Sequence, residues 1–311
     1  MTPTTIARLQ LVAAAVLWSL GSFFMRLLKV PSPLHVDQPA LDPVQIAFFR
    51  SLFGGLCLLP LVPWKRIRWH VAYLPMVLCF ATMNGLYLSA MAMGSAANAI
   101  LLQNTAPVWV YLVGVYVLKQ TGDTGAWKPL ALAMTGALVI VLGNWPWSLT
   151  GAEQGNQIVI LLMAVGSGVM YAGVVTFLGV FRREPSAFLC VVNLLGSAML
   201  LATFVWITTG TTAFLIWLST PTPTQLVFLV VFGAVQMALP YVLFARSLTH
   251  VGTTEAAIVT LIEPLLNPVW AYLLSPETDV PTWWTILGGV VLLAALVWRY
   301  WPKGQKFRPD C

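Results

Sequence analysis

Glu263 is a carboxylate in the middle of an apolar run, Leu261-Ile262-Glu263-Pro264-Leu265-Leu266. It lies about ten residues, or roughly 15 Å of helix, from either end of that run. As an anion in hydrocarbon it would cost roughly 2.5–3.5 kcal/mol or more. It must therefore be protonated, paired or facing water. Three roles fit: it titrates and couples a transport cycle to protons, it binds an amine, or it braces a helix break at Pro264. Arg50 poses the matching question. It follows Pro43 by about seven residues, which places it roughly 10 Å inside an apolar span. It either snorkels outward along its methylene stem or faces a cavity and attracts a carboxylate. Arg26, nearer a span end, is expected to snorkel.

Pro107, Pro264 and Pro268 also lie inside apolar runs. Each removes a backbone donor and clashes with the preceding turn. The freed carbonyls are tolerated at membrane depth only where protein or water satisfies them. They either line a cavity that opens and closes, or mark kinks that neighbouring helices accommodate. Gln103, Asn104 and Thr105 cluster just before Pro107. Ser19, Ser22, Asn84, Tyr87, Tyr171, Asn193, Gln236 and Tyr241 are further polar groups inside spans. Buried polar groups need partners, and helix–helix hydrogen bonds are the plain explanation for many of them. Trp18, Tyr87 and Trp109 offer faces for an aromatic or cationic solute. Asn84, Tyr87, Gln103, Asn104, Tyr171, Tyr241 and Trp18 are thus candidate substrate contacts. Ala164, Gly168 and Ala172 form a small-residue stripe that reads as close helix packing. His35, His70 and His250 fall in loops or at span ends without metal-ligand spacing, and no cofactor or metal is expected.

Such residues need elements to hold them at depth, and the composition says what those are. Of 311 residues, 59% are hydrophobic and 8% charged, with a mean hydropathy of +0.84. A soluble chain carries about a quarter charged residues, so lipid must cover much of this one. The first apolar stretch lacks a small-x-small cleavage site and reads as a retained helix. A span needs about 20 apolar residues. Ten such stretches fall near Ile6–Leu28, Val44–Val62, Val71–Met93, Ala96–Leu118, Trp127–Trp145, Gln157–Val180, Ala187–Thr208, Gln225–Arg246, Thr253–Leu274 and Trp283–Trp301.

The net charge of +6 does not signify nucleic acid, because the basic residues cluster between spans. With the N-terminus in the cytoplasm, the cytoplasmic segments hold Arg8, Lys65, Arg66, Arg68, Lys119, Lys128, Arg182, Arg183, Arg246, Arg299, Lys303, Lys306 and Arg308. Only Arg26 and Lys29 fall outside, and Arg50 lies within a span. That distribution obeys the positive-inside rule for ten spans with both ends cytoplasmic.

A slide of 157 residues, the interval from Pro107 to Pro264, also superposes Ala81 on Ala238, Leu86 on Leu243, Ala99 on Ala256 and Trp127 on Trp284. Five spans per half is odd, so two such halves, 1–148 and 149–311, insert in opposite senses. Inverted halves with interrupted helices at matching positions point to a transporter with a midplane site.

Leu17-Trp18-Ser19-Leu20-Gly21-Ser22-Phe23-Phe24, Asp42-Pro43-Val44-Gln45-Ile46-Ala47-Phe48-Phe49-Arg50, and Ala256-Ala257-Ile258 through Glu263-Pro264 to Pro276-Glu277 resemble the EamA-type transporters of the drug/metabolite transporter superfamily. The resemblance covers nearly the whole chain. It implies an all-α integral membrane fold of ten transmembrane helices in two inverted five-helix repeats. It further implies a multi-pass plasma-membrane protein of bacterial inner-membrane type, exporting or exchanging small metabolites such as amino acids. The family's usual acidic residue after the fourth span is Gln120 here.

The expected function is secondary transport of a small molecule by alternating access, with the bilayer as partner and protons as a candidate coupling ion. No Walker-type loop is present to use ATP. A membrane-embedded transferase would need a dense catalytic set at the membrane surface, whereas Asp123, Glu153 and Glu184 are isolated. A passive channel would call for rings of charge or a filter motif.

Overall fold

The computed structural model describes residues 2–32, 34–64, 67, 70–117, 119, 127–148, 150–181, 184–247, 250–251, 259–277 and 279–300. All regular structure among them is helical. Helix starts follow from local chemistry. Thr2 caps α1 (Pro3–Ser19) by accepting from the Thr5 amide, and Asp42 caps α3 (Pro43–Leu58) by accepting from the Gln45 amide at 2.8 Å. In each case proline takes the first helical position, where its missing N–H has no partner to lose. Between them runs α2 (Gly21–Leu27). The chain continues through α4 (Tyr73–Met93), α5 (Ala96–Gln103), α6 (Ala106–Leu112), α7 (Trp127–Gly143), α8 (Gly151–Val180) and α9 (Ser186–Thr209). Then come α10 (Thr211–Ser219), α11 (Pro223–Gly233), α12 (Leu239–Ser247), α13 (Ile262–Leu274) and α14 (Trp283–Tyr300). A reciprocal box between Thr222 and Gln225 opens α11, satisfying two orphan donors at once.

Among the described residues, seven helical stretches are long and apolar enough to cross a membrane: Pro3–Leu27, Pro43–Leu61, Tyr73–Met93, Ala96–Val117, Gly151–Val180, Ser186–Thr209 and Pro223–Ser247. Trp127–Gly143 and Trp283–Arg299 are shorter apolar helices. The ninth expected span, Thr253–Leu274, is described only from residue 259. Large apolar side chains such as Leu74, Ile207, Val227, Leu273 and Val290 are exposed on the outer surface, as lipid-facing positions should be. The chain is a multi-pass helical membrane protein.

Several spans differ from simple rods. The first is interrupted at Leu20, between α1 and α2. The fourth is interrupted at Asn104 and Thr105, between α5 and α6, just ahead of Pro107. The eighth carries a π-helical turn, Ala234–Ala238, between α11 and α12. The ninth has a turn at Leu261 before α13. The interruptions at Asn104 and Leu261 are separated by the same 157 residues as Pro107 and Pro264.

Chain direction defines two ends. Leu27, Pro43, Met93, Ala96, Leu274 and Trp283 lie at what we call the Asp42 end, and Arg8, Tyr73 and Ser247 at the other. At the Asp42 end lies α10, an element absent from the ten expected spans. Gly210, at φ 82°, turns the chain out of α9 and into it, a left-handed conformation that favours glycine. Trp217 of α10 donates its indole N–H to Asp42, and its carbonyl accepts from the Gln45 side chain. Gln225 holds the 29–43 loop by donating to the carbonyls of Val36 and Pro39.

Candidate functional site

The interruptions of the first and eighth spans meet inside the bundle. The break at Leu20 leaves the Trp18 carbonyl open to a second donor, and Gln236, on the π-turn of the eighth span, donates its amide to it at 3.1 Å. The other end of the same amide, Gln236 Oε1, accepts from Arg50 Nη1 at 2.9 Å. Arg50 Nη2 donates to Asn84 Oδ1. Asn84 Nδ2 in turn donates to Ser51 Oγ at 2.7 Å. The guanidinium lies over the Phe232 ring, 5.4 Å from its centroid. Thus α1, α3, α4 and the eighth span are tied by one cation and two amides.

Arg50 does not reach the interface. It is 2% exposed and points inward, so of its two readings the inward one describes its position. Its hydrogen-bonding partners are neutral oxygens, and its Nε has no hydrogen-bond partner among the described residues. Helix α3 approaches α11 closely here: a Cβ on Gly233 would lie 2.7 Å from the Arg50 carbonyl oxygen and 2.6 Å from the Gly54 nitrogen.

Beside this network Ser22 Oγ donates to the Asn267 carbonyl at 2.6 Å, and Asn267 Nδ2 donates to the Tyr87 hydroxyl at 3.4 Å. Asn267 is fully buried, and its Oδ1 has no hydrogen-bond partner among the described residues. Gly21 sits between the two clusters: a Cβ there would lie 3.2 Å from Gln236 Nε2 and 3.8 Å from Asn267 Nδ2. Trp270 donates to Ser19 Oγ at 2.9 Å.

Glu263 occupies the first turn of α13, directly after the turn at Leu261. It is half-buried, within electrostatic reach of Arg50, Tyr87 and Tyr241. No ion pair joins it to Arg50 among the described residues. Pro264 is buried beside it, and Pro268 lies inside α13.

The remaining expected residues divide. Trp18 packs edge-on against Tyr241, ring centroids 5.3 Å apart, and against Phe244 at 5.4 Å. Tyr241 also lines a cavity of about 220 Å³ with Leu58, Leu61, Cys190, Val242 and Arg246, toward the end opposite Asp42. Tyr171 is 38% exposed on α8, near enough to Tyr241 for their phenols to interact. Asn104 uses its amide locally, on the Ile100 carbonyl at 2.8 Å. Thr105 donates to Leu102 O at 2.7 Å and accepts from Trp109 at 3.0 Å. Gln103 is buried next to them. The break before Pro107 therefore satisfies itself, with Gly168 of the small-residue stripe pressed against it. A Cβ there would lie 2.7 Å from both Leu102 O and Thr105 Oγ1.

Arg26 corrects an expectation. It is buried at 5% exposure instead of snorkelling. Its Nη2 donates to Asp279 Oδ1 at 2.8 Å and to Gly94 O at 2.7 Å. Its Nε lies 2.6 Å from Asp279 Oδ2, without hydrogen-bond alignment. A carboxylate supplied from 253 residues away holds it inside. Sequence reasoning missed Asp279, Phe232 and the role of Asn267. Only Asn267 carried a signal, lying between Pro264 and Pro268 in Glu263-Pro264-Leu265-Leu266-Asn267-Pro268.

The arrangement is a polar seam inside an apolar bundle, with no metal-ligand group of His, Cys, Asp and Glu among the described residues. Known proteins of similar sequence are transporters by name. The transporter YwfM of Bacillus subtilis is 26% identical over 285 residues, covering 85% of this chain and 86% of that one. The pseudopaline exporter CntI of Pseudomonas aeruginosa is 27% identical over 261 residues, covering 83% and 86%. A solved crystal structure shares the fold, with a TM-score of 0.58 at 13% identity over 94% of this chain and 95% of that chain. A sequence model described as the EamA-like transporter family matches twice, over residues 5–142 and 158–301. The chain belongs to the EamA-like transporter family, within the drug/metabolite transporter superfamily.

Proposed function

We propose that this transporter moves a small polar or amphipathic metabolite by alternating access, through a site built on Arg50, Asn84, Tyr87, Gln236, Asn267 and Glu263. Trp18 and Tyr241 separate that site from the cavity at the opposite end from Asp42. The observation that carries the reading is Arg50: a guanidinium buried in the bundle, held by neutral oxygens, with its Nε unpartnered among the described residues. Burying a charge is costly unless it is paired, so a countercharge brought by a solute is well placed to lower that cost. A carboxylate fits the fork of Arg50. Asn267 Oδ1 and Glu263 offer acceptors for an amine on the same molecule.

Export is the direction favoured by the name of CntI. The frame in this reading is ten spans in two inverted five-helix repeats, 1–148 and 149–311, with both chain ends cytoplasmic in a bacterial-type inner membrane. Support comes from the two family matches and from the interruptions at Asn104 and Leu261. Pro107, Pro264 and Pro268 then let half-helices move about those interruptions. Protons are the proposed coupling ion, with Glu263 as the group that titrates. Gln103, Asn104 and Tyr171 serve as contacts reached only in another state of the cycle.

The test is solute counterflow in proteoliposomes, run over a panel of amino acids, amines and carboxylates. Saturable exchange of a carboxylate-bearing solute, lost in Arg50→Gln, is expected. Exchange unchanged in that variant would remove Arg50 from the site. Loss of a pH-driven component in Glu263→Gln supports coupling through that residue, and an unaltered pH dependence removes it.

A further inference from the structure

We infer that the Arg26–Asp279 pair is the gate of the Asp42 end: it latches the end-proximal halves of three interrupted spans and must part for that end to open. The inference rests on the alternating-access reading above. Its grounds are where the latched pieces sit. Arg26 lies on α2, beyond the interruption at Leu20. Asp279 follows α13, beyond the turn at Leu261. Asp279 Oδ1 also accepts from the Ala96 amide at 3.1 Å, at the start of α5, which runs only as far as the interruption at Asn104. Arg26 adds the carbonyl of Gly94, where α4 ends, at 2.7 Å. One ion pair thus gathers α2, α5 and the chain leaving α13 at this end.

A purely structural role explains this poorly. A buried ion pair adds little net stability over apolar packing, because desolvation offsets the attraction. Its geometry is instead all-or-none. Both charges are almost wholly buried, with side-chain exposures of 6% and 1%. A small separation lets water reach both, and water then stabilises the open state as the pair stabilises the closed one. That is a bistable contact, as a switching element needs. Directly beneath it, one helical turn back from Arg26, Ser22 bonds the Asn267 carbonyl. Parting the pair would free α2 and α13 to separate and expose the seam to the Asp42 side.

The test reads access to Ser22, which is fully buried in this state. Ser22→Cys is placed on a background with the native cysteines replaced, and labelled in proteoliposomes with a membrane-impermeant maleimide. Slow labelling is expected with the native pair, and at least about tenfold faster labelling in Asp279→Asn, the shift a lost gate contact should give. The exchanged pair, Arg26→Asp with Asp279→Arg, should slow it again. An unchanged rate in Asp279→Asn overturns the inference.

Should Asp279→Asn fail to fold, Arg26→Cys with Asp279→Cys gives an independent reading. Oxidative cross-linking should stop exchange reversibly with reductant, and full exchange in the cross-linked protein overturns the gate. Because labelling needs no solute, opening without exchange of any solute would support the gate and count against the transport site instead.

Discussion

Arg26 and Arg50 are withdrawn from solvent to a similar degree, at 5% and 2% exposure, yet their partners differ in kind. Arg26 has a carboxylate, a backbone carbonyl and a capped helix start around that carboxylate. Arg50 has two amide oxygens and an aromatic face. In the first region the charge is neutralised by the protein itself. In the second the Glu263 carboxyl lies within electrostatic reach, and no ion pair joins it to Arg50 among the described residues. A neutralised cation holds elements together, whereas a cation met only by dipoles remains able to receive an anion. The difference separates a closing contact from a binding site within one bundle.

The comparison predicts unequal costs. Asp279→Ala leaves Arg26 buried and unpaired, and should destabilise by about 3–5 kcal/mol. Thermal unfolding in detergent would read this, and Arg26→Met added to Asp279→Ala should recover much of it. Gly168→Ala drives a methyl into Leu102 O and Thr105 Oγ1, and should cost about 1–3 kcal/mol as overpacking. A loss of exchange exceeding the stability loss would show that the break at Asn104 must move. Arg50→Gln removes a charge whose hydrogen-bond partners are neutral, so its stability cost should be nearer about 1 kcal/mol. A cost as large as that of Asp279→Ala would erase the distinction between the two regions. Trp270→Phe deletes a single bond to Ser19 and should cost about 0.5–1.5 kcal/mol.

Much of this was readable where local chemistry decides. Thr2-Pro3, Asp42-Pro43 and Thr222-Pro223 start helices through capping alone. Pro107 and Pro264 announced interruptions, because a proline cannot donate to the preceding turn. The break at Leu20 was hidden: no proline accompanies it, and the Trp18 carbonyl there is met by Gln236, 218 residues away. The same distance problem hid the fate of Arg26, whose stem could have snorkelled had Asp279 not arrived from the far end of the chain. Arg50 stayed open between two readings until Asn84 and Gln236 were placed around it. The helix Thr211–Ser219 escaped because nine apolar-rich residues between Gly210 and Pro221 are too short to read as a span. Much of the charge pattern that orients the chain, including Lys65, Arg66, Arg68, Arg182, Arg183, Lys303, Lys306 and Arg308, lies outside the described residues, as do Gln120 and Ala256 to Ile258.

The central claim is that a solute completes the half-neutralised charge of Arg50. Ligand-induced thermal stabilisation of the purified protein tests it most directly, comparing wild type with Arg50→Gln across a panel of carboxylate-bearing solutes. A solute at about 100 times its dissociation constant should stabilise the wild type by about 2.7 kcal/mol and leave Arg50→Gln unmoved. Equal stabilisation of both proteins by every solute that binds would contradict it.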